Sequence, residues 1–280
     1  MQSMQARGRP PIQRRRAWAS AALRRWTCAA LAWLTTAAWA DLTDEIQVYA
    51  DDINAPGEFH LELHLNTTPS GRSTPEYPGE ITPAHGIRLT PEFSYGLTPD
   101  LEAGLYLPTV RAGGGSLYLP GLKLRMKWLP IHPRESGGAF AGLNVELSQV
   151  AARFIQDRRT MEARPMLGWR SADWLVACNP TLDFALAGPG RSRPPDFSPS
   201  IKLARTVTDW AALGLEYYSD FGAISDLKPF GQQTRSLFVA IDVDRKPWVF
   251  NFGIGRGFGP QSDAWTVKAI FEMPLGAAEH

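Results

Sequence analysis

The chain has 280 residues, 44% of them hydrophobic and 20% charged, with a formal net charge of +1. That composition is too apolar for disorder, and 25 glycines with 23 prolines in no fixed period exclude collagen. The charge is unevenly spread: residues 1–40 hold seven arginines and no acidic group, leaving 22 basic against 28 acidic residues elsewhere, an acidic balance that argues against a nucleic-acid partner.

Residues 1–40 read as a secretory signal peptide. Arginines 7, 9, 14, 15, 16, 24 and 25 precede an apolar run from Trp26 to about Ala37, and Ala38-Trp39-Ala40 supplies a cleavage pattern before Asp41. Arg24 and Arg25 leave the run too short for a helical anchor, which needs roughly 20 apolar residues. Cys28 falls within the leader, so Cys178 has no partner for an intrachain disulfide. Residues 41–57 are expected to form an N-terminal periplasmic segment, 58–275 the folded body and 276–280 a C-terminal tail.

The body alternates with period two, the signature of strands with one apolar and one polar edge. In chain order, Phe59, Leu61, Leu63 and Leu65 alternate with His60, Glu62 and His64. Leu89, Phe93 and Tyr95 alternate with Arg88, Glu92 and Ser94, and Leu101, Ala103 and Leu105 with Glu102 and Gly104. Leu122, Leu124, Met126 and Trp128 oppose Lys123, Arg125 and Lys127; Leu143, Val145 and Leu147 oppose Asn144 and Glu146. Ala163, Leu167 and Trp169 oppose Glu162, Arg164 and Arg170. The same pattern returns around Asp183, Lys202, Glu216, Asp242, Asn251 and Lys268, the last with Glu272 on its edge.

Twelve such segments occur, and an even number suits a closed antiparallel barrel. The connections sort by parity. Those at 67–87, 108–116, 149–161, 187–198, 219–233 and 256–263 are mostly long and rich in Gly, Pro, Ser and Arg. Those at 96–100, 171–173, 207–209 and 244–247 are short, and 129–138 is the exception. Transmembrane barrels have short periplasmic turns and longer external loops. Thr98-Pro99-Asp100, Ser171-Ala172-Asp173 and Thr208-Asp209 suit tight turns, because short polar side chains bond their own backbone. Trp128, Trp169, Trp174, Trp210, Trp248 and Trp265 lie beside connections, where interfacial girdles belong. The expected fold is therefore all-β: a closed antiparallel transmembrane barrel of about 12 strands.

Twelve strands enclose more space than side chains alone fill. The expected lumen-facing set is Glu62, Arg88, Glu92, Glu102, Lys123, Arg125, Lys127, Glu146, Glu162, Arg164, Arg170, Asp183, Lys202, Glu216, Asp242, Lys268 and Glu272. Its signs nearly balance, which favours cross-strand ion pairs, with Lys123, Arg125 and Lys127 facing Glu146. A basic patch guiding an anionic solute is the alternative reading of that cluster. His60 and His64 flank Glu62, but side chains two apart on a strand stand about 7 Å apart, so no metal site is expected. The chain contains neither a G-x-S-x-G elbow nor H-E-x-x-H, and the glycines at 253, 255 and 257 follow a strand and precede no helix. No catalytic residue and no cofactor are expected.

Tyr95-Gly96-Leu97-Thr98-Pro99-Asp100-Leu101-Glu102-Ala103-Gly104 is a strand–turn–strand phrase, echoed by Val207-Thr208-Asp209-Trp210 through Gly214-Leu215-Glu216-Tyr217-Tyr218. The chain resembles here the bacterial outer-membrane barrels assigned to transport in aromatic meta-cleavage (phenol degradation) pathways. The resemblance implies an outer-membrane location and passage of small compounds, aromatic ones among them. One departure is that Phe271 is followed by nine residues, including Pro274, where many such barrels end on an aromatic residue. The expected function is a channel or uptake barrel for small molecules, filtered by the loops at 67–87 and 219–233. Its partners would be outer-membrane lipids and lipopolysaccharide, the barrel insertion machinery and a small-molecule solute. A lipid-modifying outer-membrane enzyme with a rim site and a structural barrel with an occluded lumen are the alternatives.

Overall fold

The computed structural model describes residues 45–259 and 261–276. The leader expected at 1–40 and the last four residues of the tail lie outside the described residues. The strands are β1 (Phe59–Ser70), β2 (Ile87–Thr98), β3 (Leu101–Tyr106), β4 (Thr109–Arg111), β5 (Leu117–Tyr118), β6 (Gly121–Ile131), β7 (Gly138–Val150), β8 (Arg159–Arg170), β9 (Trp174–Ala187), β10 (Asp196–Thr208), β11 (Ala211–Asp220), β12 (Thr234–Arg245), β13 (Trp248–Phe258) and β14 (Trp265–Pro274).

Each strand pairs antiparallel with its neighbour, and β1 pairs with both β2 and β14, so the sheet closes on itself. Strands β3 and β4 are two parts of one stave, since both pair with β2 on either side of Leu107 and Pro108. Proline has no N–H to give the ladder, so the stave breaks there. Strands β5 and β6 likewise make one stave, broken at Leu119 and Pro120, which pairs with β4 and β3. Counted as staves, the barrel has the twelve that the alternation predicts. Closure leaves no free sheet edge, as hydrocarbon surroundings demand.

The longer connections, 71–86, 112–116, 151–158, 188–195, 221–233 and 259–264, all lie at one end. The turns 99–100, 171–173, 209–210 and 246–247 lie at the other, with 132–137. The expected turn chemistry is present. The Asp100 amide donates to Thr98 Oγ1 and the Trp210 amide to Thr208 Oγ1, both at 3.3 Å, and the Trp174 amide donates to Ser171 Oγ at 3.1 Å. The two similar hairpins, β2–β3 and β10–β11, share a register shift just before the turn, between Gly96 and Thr98 and between Thr206 and Thr208.

The sides also fall as the alternation requires. Leu122, Leu124, Met126, Leu147, Leu167, Ile201, Leu203, Leu213, Leu215 and Val239 are exposed on the outside, while Lys123, Arg125, Lys127, Glu146, Lys202 and Glu216 are buried within. A continuous exposed aliphatic band of this kind has no place in water. It is the lipid-facing belt of a transmembrane barrel. Trp128 (51% exposed), Trp169, Trp174, Trp248 and Trp265 stand on its borders as a girdle and not in a core. Arginine caps two of them, Arg205 lying 5.5 Å from the centre of the Trp174 ring and Arg256 5.3 Å from that of Trp265, and Arg245 lies 4.4 Å from the centre of the half-buried Trp210 ring. Such pairs suit the headgroup zone, where charge and ring both find partners. Among the described residues no helix is long and apolar enough to cross a membrane.

Candidate functional site

The lumen is occupied. Residues 41–57 are expected as an N-terminal periplasmic segment; from Glu45 this segment bonds to inward side chains around the barrel. Asn179 of β9 clasps Tyr49 at both backbone groups: the Tyr49 amide donates to Asn179 Oδ1 at 2.8 Å and Asn179 Nδ2 donates to the Tyr49 carbonyl at 3.0 Å. The Tyr49 hydroxyl meets that of Tyr106 on β3 at 2.7 Å. Lys268 of β14 donates to the Ile46 carbonyl at 2.9 Å. Arg164 of β8 reaches Glu45 at 3.4 Å, Arg170 grips Asp51 through Nε at 2.7 Å, and Lys127 of β6 lies 3.5 Å from Asp52. The Asn54 amide donates to Glu102 and its side chain to Ser94, both at 2.8 Å.

The physical reason is reciprocal satisfaction. An extended segment has unpaired backbone groups, and a narrow lumen lined with charges needs partners for them. Here each supplies the other. Val48, Tyr49 and Ala50 add an apolar contact, packing with Leu129, Phe140, Met166 and Ala177 into a small core at the short-turn end. Sequence reading missed this core because the inward apolar residues at 140, 166 and 177 sit among polar ones. Gly96 fixes where the segment enters: a Cβ there would stand 2.1 Å from the Ala55 carbonyl oxygen and 2.6 Å from that of Asn54.

Glu92, Glu102, Lys123, Arg125, Lys127, Glu146, Lys202, Glu216 and Lys268 are buried, and several of the pairings differ from expectation. Arg125 stands opposite Glu146 in register, yet its guanidinium turns the other way, to Glu102 and, at 2.6 Å, to Glu92. Gly104 makes this possible, because a Cβ at that position would lie 2.8 Å from Arg125 Nε. Lys127 also turns to Glu102, at 3.5 Å, and Glu146 accepts from Asn144 at 2.8 Å. Other pairs range from within one strand to three strands apart. Lys202 meets Asp242 at 2.8 Å and Glu216 at 3.3 Å, Lys268 bonds the same Glu216, and Arg164 bonds Glu162 at 2.6 Å. Asp183 accepts from Ser198, and Glu272 meets His60 at 2.7 Å. Arg88 and Lys123 are buried. Glu62 faces His64 at 3.3 Å.

Above the segment, at the long-loop end, lies a cavity of about 280 Å³. Glu45 and Gln47 line it together with Arg88, Glu162, Arg164 and Asp183, a row of hydroxyls (Thr181, Ser198, Ser200, Tyr218, Ser219, Thr234, Ser236), and Asp220, Arg235 and Asp263. The loop at 71–86 contributes Arg72, Glu76 and Glu80. Arg72 is the hub of that loop, donating to Glu80 Oε2 at 2.9 Å and lying 3.2 Å from Glu76, while its amide donates to Asp263 of the last loop at 2.7 Å. Burial pushes the Glu76 carboxyl up to about 7, with the neighbouring Arg72 acting against the shift. In the loop at 221–233, Lys228 pairs with Asp220 at 2.6 Å.

No protein-family model matches the chain, and no curated protein matches it in sequence. Among solved structures it is similar to a COG4313 outer membrane channel from Pseudomonas putida F1, with a TM-score of 0.57 and 12% identity over 82% of this chain and 100% of that one. The KdgM porin (TM-score 0.48, 9% identity, 78% of this chain and 99% of that chain) and the NanC porin (0.48, 8%, 78% and 100%) are looser likenesses that carry no argument. At 12% identity the first likeness is one of architecture, and the architecture it shares with this chain is that of a closed antiparallel β-barrel.

Proposed function

We propose that this protein is an outer-membrane channel for small polar solutes, entered through the vestibule at the long-loop end and closed in this conformation by residues 45–55. The observation that carries the reading is a lipid-facing belt around an interior of paired charges that opens into a hydroxyl-lined cavity of about 280 Å³. Diffusion along such a path needs only polar groups that exchange partners with the solute. The inward charges named above line the route. The leader at 1–40 would direct export, and the role is transport without chemistry.

The lining also bears on which solutes pass. Seven carboxylates (Glu45, Glu76, Glu80, Glu162, Asp183, Asp220, Asp263) and four arginines (Arg72, Arg88, Arg164, Arg235) surround the cavity, a balance that favours neutral or cationic solutes over anions. The basic strand Lys123, Arg125 and Lys127 is engaged with carboxylates below and offers no free track for anions. For the aromatic solutes suggested by the hairpin phrases, the hydroxyl lining favours those that carry hydroxyl groups of their own.

The test is recording in planar bilayers. The full protein should conduct weakly, and deletion of residues 41–55 should raise single-channel conductance several-fold. Gly96→Val should act in the same direction, because its side chain would strike the Ala55 carbonyl. Sealed bilayers for the full protein and for both variants, with each shown to be folded by its heat-dependent gel mobility, would end the channel reading.

A further inference from the structure

We propose that Glu62, His64 and Glu92 form a binding site for one divalent transition-metal ion of the zinc class. None of the three lines the vestibule, and the test of the site does not depend on the channel reading.

It begins with a conflict of charge. Glu62 on β1 stands directly opposite Glu92 on β2 and directly opposite Glu272 on β14, so three carboxylates lie in one row across three neighbouring strands. Like charges directly opposite each other destabilise a sheet. Glu272 is answered by His60 at 2.7 Å. Glu62 and Glu92 instead share a single imidazole nitrogen: His64 Nε2 is 3.3 Å from Glu62 Oε1 and 3.2 Å from Glu92 Oε2.

Those two distances suit coordination better than ion pairing. A ring N–H shared between two acceptors is weakened toward each, whereas a charge-assisted bond to one would shorten to about 2.7–2.9 Å. Metal–ligand bonds of about 2.0–2.1 Å at tetrahedral angles set neighbouring ligand atoms about 3.3 Å apart. The three ligand atoms lie within 4.8 Å of one another. One imidazole with two carboxylates is a zinc-type donor set, whereas calcium and magnesium ask for six or more oxygens.

The surroundings hold the ligands in place. His64 is fully buried, so its ring orientation is fixed by packing. The other oxygen of Glu92, Oε1, is held at 2.6 Å by Arg125, which also bonds Glu102, so its positive charge is divided between two carboxylates. That contact aims Oε2 at His64, as outer partners orient ligands in metal sites. The Glu62 side chain keeps 16% of its surface open, which leaves an approach for the ion and a position for water. The sequence alone hides the site because Glu92 joins it across a strand pair, from 30 residues away.

The experiment is calorimetric titration of zinc chloride into the full, untagged protein in detergent, after treatment with a chelator. One saturable equivalent per chain is expected, with no competition from magnesium. His64→Gln and Glu62→Gln should each weaken it at least tenfold, and His132→Gln should leave it unchanged. Zinc-edge X-ray absorption on the unmodified protein needs no variant to fold, and should show one imidazole among oxygen ligands. No saturable zinc binding, unchanged affinity in His64→Gln, or an edge spectrum without imidazole would each overturn the proposal.

Discussion

Lys268 is 1% exposed, and its ammonium ties β14 to two other parts of the molecule: to β11 through Glu216 and, at 3.5 Å, the Tyr218 hydroxyl, and to the inserted segment through the Ile46 carbonyl. Removing one member of a buried pair leaves the other charge without compensation, typically at a cost of 3–5 kcal/mol. Lys202 remains 3.3 Å from Glu216, so Lys268→Met should fall at the low end, about 3 kcal/mol, read as a lowered urea midpoint. Adding Glu216→Leu should recover part of the loss, because the under-compensated carboxylate then goes as well while Lys202 keeps Asp242 at 2.8 Å. A midpoint unmoved by Lys268→Met would deny that ammonium its bracing role. Glu76 makes a second prediction at this scale. Its carboxyl titrates near 7 in the folded loop against about 4.5 when free, so the buried neutral form stabilises the closed loop. That contribution is complete below about pH 4.5 and is lost as pH rises through 7. Amide exchange across residues 71–86 should therefore be more strongly protected at pH 5 than at pH 8 once corrected for intrinsic rates. Glu76→Gln should flatten the difference.

Among the elements, β6 states the two-sided logic most plainly. Leu122, Leu124, Met126 and Trp128 are exposed while Lys123, Arg125 and Lys127 are buried, the reverse of a water-soluble strand. Leu124, 52% exposed on the outer face, should be intolerant of charge: Leu124→Arg should cost about 2–4 kcal/mol if it sits near the bilayer midplane. The readout is folding into lipid vesicles, and a substitution without effect there would place β6 outside hydrocarbon. The inserted segment is the converse case. It has no regular secondary structure of its own, and its order comes from Asn179, Lys268, Arg170 and the other lumen groups that hold it. Its release would leave those groups to water, a price that an aqueous lumen keeps modest and that makes a movable plug thermodynamically reasonable.

For the whole molecule, closure through the β1–β14 ladder makes stability collective, because opening any one ladder exposes backbone to lipid. The protein should therefore fractionate with detergent-extracted outer membrane and migrate differently on gels before and after boiling; recovery in the soluble periplasmic fraction would contradict the belt. The barrel itself was legible in the chain. Period-two alternation names the face of every residue on a strand, so Leu124 outside and Lys123 inside follow from sequence position alone, as do the stave count and the sorting of loops. The breaks at Pro108 and Pro120 were not read from the chain, since only pairing decides that two fragments make one stave. The interior was a different matter. Alternation says that Arg125 points inward but not which way it turns, and Gly104 on the next strand sends it toward Glu92 instead of Glu146. Nor does any local pattern mark residues 45–55 as a plug, because they repeat nothing and form no element. Local steric and solvation preferences, which act between near neighbours, determined the barrel from the sequence by itself. The filling of its lumen and the partners of its charges were decided only when closure brought distant strands around one space, and the meeting of Glu62, His64 and Glu92 only by the register of the β1–β2 pair.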